Sequence, residues 1–592
     1  MSSENENRGL AYKTGYKVDF SEIPLSEHPR PSFRRNSYLT LNGKWDLKII
    51  NEETEETVYN GPVMVPYAVE SPLSGVNHFL KPDERLIYTR EVTFDPDFNE
   101  GRMVLHFEGV DQEAWVYVNN ILLSHHVSGY MPFEIELPLA KGVSSFFLRV
   151  EVKDVTDASY HTRGKQTLGT TRLPFLYSSS SGIVFPVYLE STPVNYIKSL
   201  LIRTDFDKES VIVNINASED GIVKLQFGEE EFPVPSNKET TLKIKDFHPW
   251  SKEDPYLYPL VLTFKNDVVY SYFGLRKIEI KEDQDGKKRL FLNNKPLFLS
   301  GLLDQGYYYL GNLTPKSYED YMTDIDNVLR AGFNCLRKHV KYEIDRFYYL
   351  CDKAGLLLIQ DFPNGGSRYN FLAIALPRLF PFLKEKQMNI RLLGRKDEEG
   401  KKEFEMEARK ALESLSLHPS ILIYTIFNEG WGEFSPSFFY HQFKTLDQGQ
   451  HLFDTASGWY DADSDFYSIH TYTFPNLFRR DKKKRAFLIS ECGGIGFKIE
   501  SYAEFNGYFG HSNARSAFDL EKKFTDLYLE KLLPQIKKRG LNGIIYTEVS
   551  DCETEYNGLW TFDRQIIKIK ESRIKEINDR LFQKFHDSVK SV

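Results

Sequence analysis

Up to about residue 190 the apolar positions come in short runs separated by turn residues, with no long segment of helical 3.6-residue period. The runs 103–107, 114–118 (followed by Asn119-Asn120) and 146–152 are typical. Close-spaced short strands with turn signals predict a β-sandwich over 1–190. The polar stretch 154–173 predicts a long loop, a kind of segment that often carries function. A second strand-rich unit spans 191–277, with runs at 197–203, 211–215, 221–227, 240–244, 260–264 and 268–273. About six or seven short strands in roughly 90 residues fit a small immunoglobulin-like sandwich.

From 278 onward the period changes. Asp283-Gln-Asp-Gly286 between strand residues predicts a hairpin turn. Amphipathic helical segments follow at 318–331, 342–354, 404–415, 438–446 and 520–538. They alternate with apolar strands at 333–336, 356–360, 421–427, 486–490 and 543–546. Alternating β and α over 278–592 predicts a parallel α/β fold, and roughly 300 residues suit a (β/α)₈ TIM barrel. No glycine-rich dinucleotide or phosphate-loop motif is present, which disfavours a nucleotide-binding doubly wound sheet.

Composition narrows the function. The chain has 592 residues and a net charge of −9, which argues against nucleic acid as a partner. Its longest apolar patch, 371–383, is short and broken by Pro377, Arg378 and Pro381, so no membrane span is expected. Cys335, Cys351, Cys492 and Cys552 form no C-x-x-C pair and read as reduced, mostly buried thiols. With a polar N-terminus lacking a signal core, a cytoplasmic location is expected. No metal-ligand cluster is visible, so neither a metal nor a cofactor is expected. A homo-oligomer is admitted on base rates alone. Aromatic residues reach 14%, which suits β-structure and surfaces that stack on ring-shaped ligands.

A barrel of this kind carries its chemistry at the carboxyl ends of its strands. Two glutamates fall there: Glu429 in Asn428-Glu429-Gly430-Trp431-Gly432 after 421–427, and Glu491 in Glu491-Cys492-Gly493-Gly494 after 486–490. Glycoside hydrolysis needs two facing carboxylates, one protonated to donate to the leaving oxygen and one ionised to attack the anomeric carbon. Like charges so close raise one pKa and separate the two roles. Asn428 could donate to a sugar hydroxyl.

These residues resemble glycoside hydrolase family 2 over nearly the whole chain. Leu41-Asn-Gly-Lys-Trp45, Val65-Pro66, Tyr88-Thr-Arg90, Phe107-Glu-Gly-Val-Asp111, Val116-Tyr-Val-Asn119 and Ser181-Gly-Ile183 look like its jelly-roll sugar-binding domain. Trp250, Pro255-Tyr-Leu-Tyr258 and Phe273-Gly-Leu-Arg276 look like its immunoglobulin-like domain. Leu292-Asn-Asn-Lys-Pro-Leu297, Gly332-Phe-Asn-Cys-Leu-Arg337, His418-Pro-Ser420, Asn428-Glu429 and Glu491 look like its catalytic barrel.

The resemblance implies a retaining exo-β-glycosidase acting on small glycosides, with a β-galactosidase-like enzyme favoured. β-Glucuronidase, β-mannosidase and arabinosidase are the alternatives within the family, and a non-catalytic carbohydrate-binding protein the alternative outside it. Glu429 matches the general acid/base and Glu491 the nucleophile. Arg337 matches the strand-two arginine that positions the nucleophile, and His470 a strand-end residue near the substrate. Asp361 falls at a strand end, where it could bind a sugar hydroxyl. Trp431, Trp459, Tyr472 and Trp560 are candidates for stacking on sugar rings. Where the family often has a histidine three positions after the arginine, this chain has Val340, with His339 one earlier. The segment 301–307 replaces a more histidine-rich stretch of typical β-galactosidases. The β-glucuronidase branch carries an Asn-x-Lys element where this chain has Glu555-Tyr556-Asn557. An acidic residue there disfavours a carboxylate-bearing sugar.

Overall fold

A computed structural model describes residues 12, 15–155, 160–167, 173–367, 385–386, 390–472, 478 and 481–589. The apolar stretch 371–383 noted in the sequence lies outside these residues.

The N-terminal part forms two antiparallel sheets of six and four strands. Alternation in strands such as Gly43–Asn51 and Glu84–Thr93 sends every second side chain inward. Trp45, Leu47, Tyr88, Leu105, Phe107, Val116 and Val150 are among the apolar residues that fill the space between the sheets. Seven strands from Ile197–Asp205 to Asp267–Phe273 make a second, smaller sandwich of three- and four-stranded sheets.

The remaining chain builds an eight-stranded parallel sheet. Its strands are β1 (Leu299–Asp304), β2 (Cys335–Lys338), β3 (Leu357–Asp361), β4 (Ile421–Asn428), β5 (Leu452–Ser457), β6 (Phe466–Thr471), β7 (Ala486–Gly493) and β8 (Leu541–Thr547). Their order is β5-β4-β3-β2-β1-β8-β7-β6, a nearly closed TIM-type barrel. All are buried on both faces, as the near-continuous apolar runs require. The β5–β6 seam is bridged by other groups. Asp465 N donates to Phe453 O (3.1 Å), Thr455 N donates to Ser464 Oγ (3.1 Å), and the Ser457 and Ser468 hydroxyls meet at 3.1 Å.

A three-stranded sheet over Ile278–Glu282, Lys288–Leu292 and Lys295–Leu297 packs under the barrel, its first turn made by the expected 283–286 hairpin. Trp250 shares that core with Leu290, Leu299, Leu357 and Ile423, and its indole donates to Asp352 O (2.8 Å). The barrel floor is thus sealed, and the open end is the carboxyl end of the strands.

Two helices depart from the sequence pattern. The one expected at 342–354 begins only at Asp345. Glu343 is turned inward instead, held by the ammoniums of Lys338 (2.9 Å) and Lys341 (2.8 Å), which keeps 341–344 out of the helix. The segment 520–538 divides into Ala517–Thr525, a wider π-type turn at Asp526–Leu532, and Leu533–Arg539. Pro534 has no N–H and would crowd the carbonyl of a regular turn before it. No helix among the described residues is long and apolar enough to cross a membrane.

Candidate active site

Arg337 lies at the centre of the barrel mouth, on β2, and is fully buried. Its Nε donates to Asp361 Oδ1 on β3 (2.9 Å) and its Nη2 to Asn428 Oδ1 on β4 (2.8 Å). Its Nη1 donates to Ser490 O (2.9 Å) and Glu491 Oε1 (3.0 Å) on β7. Burial works against this charge, yet Asp361 and Glu491 hold the guanidinium protonated above its ordinary range. One cation therefore ties four strand ends together.

Glu429 follows β4 in a left-handed conformation (φ +51°), with Gly430 next (φ +77°). A side chain at Gly430 would meet the Tyr460 ring at 2.3 Å, so the turn that presents Glu429 needs glycine there. Glu429 N donates across to Ser457 O on β5 (2.9 Å). Glu491 sits where the β7–β8 register slips between Ile489 and Cys492, an irregularity of the kind that re-aims side chains.

His470, on β6, bridges the two carboxylates. Its Nδ1 is 2.7 Å from Glu429 Oε1 and its Nε2 is 3.4 Å from Glu491 Oε1 and 3.1 Å from Ser457 Oγ. Ligand atoms of Glu429, His470 and Glu491 all lie within 4.8 Å of one another. Three such atoms could share a metal ion. The Arg337 cation already at Glu491, and the Glu429–His470 bond, make a proton-sharing network the simpler reading. Tyr472 donates to Glu491 Oε2 (2.5 Å) and meets Thr547 Oγ1 at 3.1 Å. Burial, then Glu491, push the Tyr472 hydroxyl well above its ordinary range, so it remains a donor. Burial and the charge of Glu429 push the Glu491 carboxyl above its ordinary value, and His470 and Arg337 offset only part of that.

The carboxylates open onto a cavity of about 100 Å³ whose wall includes Trp431, Trp459, Tyr472, His339, His511, Thr547 and Glu555. Of the residues expected from the sequence, Glu429, Glu491, Tyr472, Trp431 and Trp459 face this cavity, while His470, Asn428 and Arg337 lie directly behind it. Two are placed elsewhere. Asp361 is fully buried between Arg337 and His339, whose Nδ1 is 2.8 Å from its Oδ2, so it holds those groups and does not line the cavity. Although burial raises it, Arg337 and His339 hold the Asp361 carboxyl below its ordinary value. Trp560 belongs to the barrel's hydrophobic core, 3% exposed, and does not line the cavity. Its apolar ring is taken up by packing. His339 lines the cavity, and burial drives its imidazole down to about 3, so it is neutral at physiological pH. Val340 is buried one position further on.

Sequence reasoning did not single out Lys165, which also lines the cavity. It comes from the N-terminal part of the chain, in the described segment 160–167 of the stretch expected to be a loop. That loop is fastened to the barrel: Thr162 pairs with Gly365, and the amides of Arg163 and Gly164 donate to Asn364 O (3.2 and 2.9 Å). Gly164 is left-handed (φ +59°), and a side chain there would lie 2.5 Å from Val340 O. The only sequence signal was the loop's length and polarity.

Comparison with known proteins bears on what this arrangement is for. Residues 195–276 match the model of Glycosyl hydrolases family 2. A β-glucuronidase of Streptococcus agalactiae is 26% identical over 375 residues, 58% of this chain and 60% of that protein. A β-galactosidase of Thermoanaerobacter pseudethanolicus is 25% identical over 314 residues, 49% of this chain and 41% of that protein. The chain thus matches less than two thirds of the length of either relative. In fold, it is similar to a β-galacturonidase of Eisenbergiella tayi solved with galacturonate, at TM-score 0.68 and 17% identity over 93% of this chain and 98% of that one.

Replacing Arg337 with Met leaves Asp361 and Glu491 without their cation. The expected loss of unfolding free energy is about 3–5 kcal/mol at pH 7, measured by denaturant titration. Asp361 has a depressed folded-state pKa, so its contribution is present above the unfolded value and lost as pH falls through the folded one. The gap between wild type and R337M should therefore narrow on acidification. Equal stability at pH 7 would show that the guanidinium does not hold these carboxylates.

Proposed function

We propose that this chain, which belongs to glycoside hydrolase family 2, is a retaining exo-acting β-glycosidase, with Glu491 as nucleophile and Glu429 as general acid/base. The observation that carries this reading is the approach of the two carboxylates, with one oxygen of each within 4.8 Å of the other across the barrel mouth. That separation suits direct attack by a carboxylate (about 5–5.5 Å between the groups) and not the roughly 6.5–9.5 Å that leaves room for an intervening water.

The surroundings support the division of roles. Glu491 receives Arg337 and Tyr472, donors that stabilise an anion. Two ionised carboxylates so close repel, which favours retaining one proton on the pair. In this reading Glu429, 2.7 Å from His470 Nδ1, carries that proton. In the first step Glu491 attacks the anomeric carbon as the glycosidic bond breaks, and the Glu429 proton passes to the leaving oxygen. In the second, Glu429 takes a proton from water, the water oxygen attacks the anomeric carbon, and Glu491 is released. Two inversions leave the β-configuration unchanged.

The small cavity, walled by a segment of the N-terminal domain, supports removal of a single terminal sugar. For that sugar we favour the galacto configuration. Named sequence relatives include both β-galactosidases and β-glucuronidases, so the configuration is for the substrate panel to decide. All four cysteines are buried free thiols, which supports a reducing compartment and hence the cytoplasm as the place of action.

A panel of nitrophenyl β-glycosides tests the assignment. Glu491→Ala should lower kcat/KM by at least about 10⁴-fold, and azide should restore turnover with an inverted glycosyl azide as product. Glu429→Gln should cost about 10²–10⁴-fold, more for alkyl than for nitrophenyl leaving groups. Unchanged turnover in Glu491→Ala would sink the assignment. The acid limb of kcat/KM reports ionisation of the nucleophile in the free enzyme. With the Glu491 carboxyl raised, activity should fall as pH drops through a midpoint above the ordinary 4.5. A midpoint at or below 4.5 would contradict the charge balance described for Glu491.

A further inference from the structure

We infer that Lys165 forms an anion-binding subsite in the sugar cavity, so that the sugar this site takes carries an ionised substituent, a carboxylate or a phosphate, on its ring. The inference rests on the glycosidase reading and narrows its substrate class.

Lys165 is the one lysine or arginine in the cavity wall among the described residues. The residue is 6% exposed, and its ammonium has no hydrogen-bond or ion-pair partner among them. It sits 4.7 Å from the Trp431 ring centre and 5.7 Å from those of Phe175 and Tyr177. Three ring faces give such a cation partial compensation. They do not replace the counter-charge that a buried ammonium lacks. The open side of this aromatic cradle is the cavity.

Other charges near the cavity are already committed. Glu429 and Glu491 are joined to His470, and Glu491 also to Arg337. Glu555, the residue that on sequence grounds disfavours an anionic sugar, accepts from the Tyr177 hydroxyl (2.7 Å) and the Asn557 amide (2.8 Å). Burial and the charge of Glu555 push the nearby Glu548 carboxyl well above its ordinary range, and the Lys165 charge offsets only part of that. An anionic group on the sugar would supply the missing partner of Lys165; a hydroxyl in its place would leave that charge unpaired.

The segment is built to hold this position. Gln166, next in the chain, donates to Asp111 Oδ2 (2.7 Å) and accepts from Ser180 N (2.8 Å). Lys165 O accepts from Tyr177 N (2.9 Å), and Tyr130 donates to Arg163 O (3.1 Å). With the Asn364 contacts to the barrel, these bonds fix the backbone on both sides of Lys165.

The test compares kcat/KM for nitrophenyl β-galactoside, β-galacturonide, β-glucuronide and 6-phospho-β-galactoside in the full-length wild type, Lys165→Met and Lys165→Arg. Methionine keeps the stem packed on the rings and removes the charge. Wild type should prefer an anionic substrate, and K165M should lower the anionic-to-neutral ratio by about 100-fold, with K165R intermediate. The uronide and phosphate arms identify which anion is used. A wild-type preference for the neutral galactoside, or an equal loss on both classes in K165M, would overturn the inference. Calorimetric titration with free galacturonate, glucuronate, galactose 6-phosphate and galactose keeps the two readings separable. Lys165-dependent preference for an acid without any turnover would refute the hydrolase reading and uphold the subsite. Equal binding of acids and galactose would refute the subsite while leaving the hydrolase reading intact.

Discussion

The site is organised around a single buried cation. A guanidinium removed from water is tenable only if its donors are met, and Arg337 meets them with a carboxylate, an amide, a backbone carbonyl and a second carboxylate from three other strands. That requirement fixes where β3, β4 and β7 end relative to β2, and so where Asn428 and Glu491 stand. Glu429 is placed one step further out, by its own left-handed turn and by the hydrogen bond to Ser457. The two carboxylates face each other because the strands that carry them are tied to the same cation or to its neighbours.

His470 makes the pair one electrostatic unit. It lies between Glu429 and Glu491 and touches both. It also borders the seam between β5 and β6, where no strand pairing among the described residues joins the barrel's two edges. Ser457 meets both Ser468 and His470 there, so the same side chains that close the barrel also border the two carboxylates. The sandwich domain completes the enclosure. Its loop at 162–167 is anchored to the barrel on one side and to its own core on the other, and it brings Lys165 to the cavity wall.

Much of this was legible in the chain. Period-2 alternation against 3.6-residue periodicity separated sandwiches from barrel, because burial on one face or two leaves different patterns. The two glutamates were visible because apolar strand, polar residue and glycine follow directly on one another. Asp361 and Trp560 show the limit of such reading. Position after a strand does not tell whether a carboxylate faces solvent or pairs with a buried arginine, and an aromatic near a catalytic strand is as well suited to core as to ligand. Helix 342–354 was overestimated because Glu343 is turned inward to Lys338, Lys341 and the remote hydroxyls of Tyr308 and Tyr321, contacts with no periodic trace. Lys165 was hidden because its contact with the barrel, at the Trp431 ring, lies far along the chain, and only the length of the polar stretch marked it.

The most direct test of the central claim is to trap the intermediate. A 2-deoxy-2-fluoro glycosyl fluoride of the preferred sugar should inactivate the enzyme and add one sugar mass. Peptide mapping by mass spectrometry should place it on Glu491. A label on any other residue, or hydrolysis of ordinary glycosides with no trapped adduct and with inversion of the product, would contradict the account.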